Sequence, residues 1–207
     1  MCGIFLNYLF TKEITGLEIS RAQHFVERLK RRGPDRNRIE VINSASLILG
    51  HSRLSIIDLN STADQPFTDI ESRFKIVFNG EIYNYLEIKK DLISLGHQFK
   101  TASDTEVLLK GYQEFGAAIL EKIDGMYAFA IFDVIREEVF IARDQYGIKP
   151  LYYELNNDGL TCSSQLKPFV TSAFDYYTED TIAWSEFETW GSFQGIKGAR
   201  NSKLSGK

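Results

Sequence analysis

The strongest constraint on the fold is a pair of apolar segments, Met126–Asp133 (MYAFAIFD) and Glu138–Ala142 (EVFIA), joined by a charged turn around Ile135–Glu137. Two such runs so close together read as the strands of a hairpin. A second pair, Leu151–Leu155 and Leu160–Ser163, flanks Asn156-Asn157-Asp158-Gly159, whose Asp-Gly step suits a turn with positive φ. Strands are also expected at Gly3–Tyr8, Ser46–Leu49, Leu54–Leu59 and Phe74–Phe78, the last ended by Asn79-Gly80. Apolar residues at helical spacing predict helices over Gly16–Arg32, Tyr83–Leu95 and Ser103–Phe115, stopped by Gly33-Pro34, Gly96 and Gly116, with a short helix over Gln165–Ser172. Because strands come in hairpins and helices cluster between the strand groups, the expectation is an α+β fold with antiparallel sheets rather than strict βαβ alternation.

At 207 residues the chain suits one large domain, expected over 1–175, with a tail at 176–207. The tail has few aliphatics and ends in GIKGARNSKLSGK, the composition of a linker or of an approach to a further domain. Hydrophobic content of 43% beside 25% charged residues argues against wholesale disorder. A formal charge of −4, with scattered Lys and Arg, gives no footprint for nucleic acid. No apolar run suits a membrane span and the N-terminus lacks a basic leader, so a cytoplasmic location is expected. Cys2 and Cys162 make no disulfide framework, and His24, His51 and His97 show no paired spacing, so no metal is expected.

Cys2 is the first candidate for chemistry. Most cysteines are small buried hydrophobes. With Met1 removed, however, Cys2 carries both a thiol and the chain's free amine, so a nucleophile and its base come from one residue. With Met1 kept, the nitrogen is an amide and the base is lost. Asn79-Gly80-Glu81 reads first as a hairpin turn, yet Tyr83-Asn84-Tyr85-Leu86 begins a helix. The chemical reading is an oxyanion hole formed by the Asn79 side-chain amide and the Gly80 N–H. Arg53 is either a surface charge or a fork for a carboxylate. Ser103 and Glu106 have the spacing of a capping box, which places Asp104 in a first helical turn; that position also suits an ammonium group. Thiolate, oxyanion hole, guanidinium and carboxylate together describe an α-amino acid with a side-chain amide, L-glutamine above all.

Longer segments carry a resemblance. MCGI, RRGPD (Arg31–Asp35), GHSRLSIIDL (Gly50–Leu59), QPF (Gln65–Phe67), FNGEIYNY (Phe78–Tyr85), SDTEVLL (Ser103–Leu109), DGMYAFAIFD (Asp124–Asp133) and ARDQYGIKPLYY (Ala142–Tyr153) occur in order. Over about residues 1–170 the chain resembles the class II glutamine amidotransferase domain of glutamine-hydrolysing asparagine synthetases. The resemblance implies an N-terminal-nucleophile fold, an αββα sandwich of two antiparallel sheets between helix layers. It implies Cys2 as nucleophile and Asn79 and Gly80 as the oxyanion hole. Arg53 would hold the glutamine carboxylate, Leu54, Ser55, Ile56 and Ile57 would line that wall, and Glu81 and Asp104 would bind the amino end. Ammonia would pass to a synthetase domain or subunit; a homodimer is a further expectation. No cofactor is expected for these residues, since ATP and Mg would serve only the synthetase part, whose SGGxDS loop does not occur here.

Some positions depart from that pattern. Ser52 stands where a second arginine is common, Gln145-Tyr146 replaces Arg-Phe, and Gln165 replaces a glutamate. The alternatives to a glutaminase are a non-catalytic glutamine-binding or regulatory module, and a hydrolase of other amides on the same fold.

Overall fold

The computed structural model describes residues 1–10, 13–166 and 169. The short helix expected over Gln165–Ser172 falls mostly outside them, and the tail at 176–207 entirely. In chain order the elements are β1 (Gly3–Leu9), α1 (Gly16–Leu29), β2 (Arg36–Ile42), β3 (Leu47–Arg53), β4 (Phe67–Thr68), β5 (Phe74–Ile82), α2 (Tyr85–Ser94), α3 (Asp104–Phe115), β6 (Gly125–Asp133), β7 (Glu138–Arg143), β8 (Tyr152–Leu155) and β9 (Gly159–Ser163). They build a five-stranded sheet ordered β2-β3-β1-β9-β8 and a four-stranded sheet ordered β4-β5-β6-β7. Every strand pairing is antiparallel.

Strand alternation explains the layering, because successive side chains serve opposite faces. From β1 and β3, Ile4, Leu6, Leu47 and Leu49 point inward to meet Val77, Ala128, Ala130 and Phe132 of the other sheet. Phe5 and Ile48 point the other way, onto Ala22, Val26 and Leu29 of α1. Ile76, Phe78, Phe129 and Ile131 likewise turn outward onto Val107, Leu108, Leu109, Ile88 and Leu92 of α3 and α2. The order is therefore helix, sheet, sheet, helix, the αββα sandwich. Each fully buried aliphatic or phenyl side chain contributes about 1.5–3 kcal/mol by burial. Small Ala128 and Ala130 on one face of β6 let the sheets approach, while large Phe129 and Ile131 fill the helix side.

Local signals set the helix starts. Thr15 caps α1: its Oγ1 accepts the Leu17 N–H at 3.2 Å, and its own N–H donates to Glu18 Oε2 at 3.1 Å. Ser103 caps α3 by accepting the Thr105 N–H at 3.1 Å. The expected capping box is incomplete, because the Glu106 carboxylate accepts the N–H groups of Lys100 and Thr101 instead of that of Ser103.

Four expectations change. β2 is unforeseen: only Ile39 and Val41 reach the α1 cluster, and Arg36, Arg38 and Glu40 give an edge strand its polar dress. Leu54–Leu59 is irregular rather than extended, since β3 runs from Leu47 to Arg53 and the chain then turns. Asn79-Gly80 is no turn either, because β5 continues to Ile82 with Gly80 opposite Tyr127. Finally, Gly159 opens β9; the turn before it is held by Asn156 Oδ1, which accepts the Asp158 and Gly159 N–H groups at 2.9 and 3.1 Å. Among the described residues no helix is long and apolar enough to cross a membrane.

Candidate active site

The first residue of β1, Gly3, pairs with Ser52 near the end of β3, so Cys2 lies where β3 gives way to the irregular segment. The Leu54 N–H donates to Cys2 Sγ at 3.4 Å, and the thiol donates to the Leu54 carbonyl at 3.5 Å. Arg32 Nε donates to the Cys2 carbonyl at 2.9 Å and fixes the main chain behind the sulfur. Burial raises the Cys2 thiol above its ordinary value, against the opposing pull of the Leu54 N–H and of nearby positive charge. A thiol in this state needs a base to become a nucleophile.

Beside it runs the edge of β5. Backbone groups on a strand alternate sides, and at Phe78, Gly80 and Ile82 they face away from β6. Gln65 Oε1 accepts the Phe78 N–H at 2.6 Å, and His51 Nε2 lies 3.2 Å from the Phe78 carbonyl. Farther along, Asp104 Oδ2 accepts the Ile82 N–H at 3.2 Å. Between these capped positions the Gly80 N–H faces the cavity. The residue must be glycine, because a Cβ there would lie 2.4 Å from the Met126 carbonyl oxygen and 2.6 Å from Phe78.

Asn79 follows Val77 on the face between the sheets. Its Nδ2 is buried with no hydrogen-bond partner among the described residues. An unmade bond at a buried donor costs about 1–3 kcal/mol, and a ligand in the adjoining cavity would supply the missing acceptor. Asn79 and Gly80 thus both border the cavity on which Cys2 opens.

Cys2, Asn79 and Gly80 line one cavity of about 170 Å³ together with Arg53, Leu54, Ile56, Ile57, Glu81 and Asp104. Ser55 is not on this wall; its N–H turns away to Asp35 Oδ2 at 2.8 Å. Arg53 is buried, and its Nη1 donates to the Asn60 carbonyl at 3.0 Å and to Asp64. Its Nη2 donates to the Asp58 carbonyl, which leaves Nε–H and one Nη2–H for a ligand. Asp104 is 5% exposed and its carboxyl is pushed up to about 6, by burial first, against the N–H groups of Ile82 and Thr105. A positive ligand group would favour its charged form.

Several residues at the site were not singled out by sequence: Arg32, Asp64, Gln65 and Lys149. RRGPD, QPF and ARDQYGIKPLYY contain Arg32, Gln65 and Lys149 as parts of motifs; nothing local marks Asp64. Ser52, the departure from the family pattern, is fully buried and donates to the Val26 carbonyl of α1 at 3.0 Å, a spot with room for a small side chain only. Among the described residues no group of His, Cys, Asp and Glu could hold a metal ion. His51, pushed down to about 3 by burial, stays neutral; its Nδ1 is buried with no partner among the described residues.

Residues 1–190 match the model of the glutamine amidotransferase domain family. A putative glutamine-hydrolysing asparagine synthetase of Methanocaldococcus jannaschii is 38% identical over 183 residues, covering 81% of this chain and 34% of that protein. The amidase chyE of Penicillium rubens is 33% identical over 200 residues, covering 92% of this chain and 29% of its own. The chain thus spans about a third of the length of these relatives. Glutamine phosphoribosylpyrophosphate amidotransferase of Bacillus subtilis has the same fold, with a TM-score of 0.65 and 21% identity over 81% of this chain and 43% of that one. With the αββα sandwich, the segment matches and this coverage together, the chain belongs to the class II glutamine amidotransferase family and is homologous to part of the asparagine synthetases.

Proposed function

We propose that this domain hydrolyses the side-chain amide of L-glutamine to glutamate and ammonia, with Cys2 as nucleophile after removal of Met1. The observation that carries the reading is the buried, unpartnered Asn79 Nδ2 on the same cavity as Cys2 Sγ. Arg53 takes the α-carboxylate and Asp104, with Glu81, the α-ammonium, which brings the far amide to the sulfur. The Cys2 amine accepts the thiol proton as Sγ bonds to the amide carbon. Charge forming on the carbonyl oxygen falls between Asn79 Nδ2–H and Gly80 N–H, donors fixed before the reaction starts. The proton then passes from the amine to the departing nitrogen, which leaves as ammonia and a γ-glutamyl thioester. Water adds to the thioester with its proton taken by the same amine; glutamate departs and the thiol is restored.

Met1 also lines the cavity and is largely exposed, open to removal by an aminopeptidase. The ammonia is destined for a synthetase domain or subunit, the part that would use ATP and Mg. The test combines intact mass with glutamine turnover. Protein lacking Met1 should release ammonia and glutamate, and Cys2→Ala should not; equal rates for the two would overturn the reading. The amidase among the relatives favours a second reading, hydrolysis of another amide in the same cavity. Turnover of simple amides with none of glutamine would select it.

A further inference from the structure

We propose that Lys149 is a positioning residue for the reacting thiol: its ammonium, on the cavity wall with no hydrogen bond or ion pair among the described residues, favours the negative charge that forms on Cys2 Sγ. The inference deepens the glutaminase reading and rests on it for the reaction that this charge serves.

Lys149 belongs to the segment between β7 and β8, and its main chain is pinned on both sides. Asp144 Oδ2 accepts the Lys149 N–H at 2.9 Å, Asp144 Oδ1 accepts that of Ile148 at 2.8 Å, and Arg143 Nε donates to the Lys149 carbonyl at 2.7 Å. Gly147, with φ of 65°, makes the turn this requires. The side chain is then 5% exposed, although lysine is almost never so buried without a counter-charge. Among the described residues its Nζ makes no hydrogen bond and no ion pair. It shares the cavity wall with Cys2, Gly80, Glu81 and Met126.

The charged groups on this wall come from every surrounding element. Arg53 comes from β3, Asp58 from the segment after it, Glu81 from β5, Asp104 from α3 and the chain's own amine from beside β1, while Arg32, just past α1, stands behind the wall at the Cys2 carbonyl. Burial, and then Arg32, pull the Lys149 ammonium below its ordinary value, while Glu81, Cys2 and Asp144 pull it back. Asp144 is spoken for by backbone N–H groups, while Arg32 gives its Nε–H to the Cys2 carbonyl and its buried Nη2 has no partner among the described residues. Lys149 is a second cation near Cys2, the one of the two that lines the cavity, with no fixed anion of its own among the described residues. Charge on one of Lys149 and Cys2 stabilises charge on the other, so each ionisation draws the other along.

The experiment reads the thiol directly, as the pH dependence of Cys2 alkylation by iodoacetamide in the whole chain without Met1, with the labelled site identified by mass spectrometry. In Lys149→Met the midpoint should rise by on the order of half to one pH unit, and Lys149→Arg should return it to within a few tenths. Glutaminase kcat should fall about three- to tenfold at neutral pH with little change in KM, the pattern of an effect on the reacting centre. A midpoint in Lys149→Met equal to that of the unchanged protein overturns the proposal. If a thermal melt shows that variant unfolded, Lys149→Gln is read the same way, and an unshifted midpoint there is equally decisive. Should the unchanged protein show a Lys149-dependent midpoint but release no ammonia from glutamine, the glutaminase reading fails and the electrostatic role stands. Turnover of glutamine with an unshifted midpoint overturns the electrostatic role and leaves the glutaminase reading in place.

Discussion

The carboxylate of Asp64 accepts a hydrogen bond from the Arg53 guanidinium in the protein interior, the two side chains 4% and 8% exposed. Removing one member of a buried ion pair strands the other and costs about 3–5 kcal/mol. Asp64→Asn should lower unfolding stability by about that amount in urea titrations. It should also raise KM for glutamine more than it lowers kcat, because Arg53 loses its orientation toward the ligand while Cys2 is untouched. A variant of full stability and unchanged KM would contradict this role.

Asn79→Ala removes a donor that has no partner among the described residues. Loss of one oxyanion donor typically costs about 2.7–4 kcal/mol of barrier, so kcat should fall roughly 10²- to 10³-fold. Stability should hold steady or rise, since the orphaned N–H no longer has to be buried. Steady-state kinetics beside a thermal melt separates the two effects, and a large drop in melting temperature would argue for an ordinary structural amide.

Asp104 gives a pH dependence with a definite sign. Its carboxyl, normally at 3.8, lies at about 6 in the folded chain. Below that value a proton competes with the ligand ammonium, so KM for glutamine should climb toward about tenfold per pH unit as pH falls under 6. For folding the sign is opposite to that of a salt-bridged carboxylate. The native state binds the proton more tightly than the unfolded chain, so this group's contribution worsens as pH rises from about 4 to 6 and stays unfavourable above. Asp104→Asn should therefore be the more stable protein at neutral pH, by up to about 3 kcal/mol, and lose the gain below pH 4. Denaturant midpoints at pH 4 and 7 check both halves.

The two cysteines should separate cleanly under alkylation. Cys162 is fully buried between the sheets and its thiol is pushed up to about 12 by burial alone. Cys2 opens on a cavity. Iodoacetamide on the folded protein should label Cys2, with glutamine slowing the reaction and Cys162 reacting only after denaturation; peptide mapping decides.

The elements that sequence made plain are those where local pattern and tertiary role agree. The β6–β7 hairpin shows as two apolar runs, and Ser103 marks the start of α3. Where a tertiary contact outweighs a local preference, sequence misleads. Asn79-Gly80 has the chemistry of a turn, but β6 pairs with it through Met126 and Tyr127 and keeps the strand going. Leu54, Ile56 and Ile57 look like a buried strand, yet they form a cavity wall, with Ile56 69% exposed. Cys2, Asn79 and Gly80 could be singled out because each has a distinctive reactivity or conformation. Asp64 could not, since its meaning lies in a partner met only after folding. Lys149 sits inside the ARDQYGIKPLYY segment, yet its place on the cavity wall shows only after folding.

The open border of β5 has one further consequence. Sheet margins tempt a foreign strand to align and polymerise. Here Gln65 and His51 hold both polar groups of Phe78, and Asp104 holds the Ile82 amide. The gap between them is a single residue long, too short to template a neighbouring chain. The arrangement that admits a ligand therefore also keeps copies of the protein from zipping together along that margin.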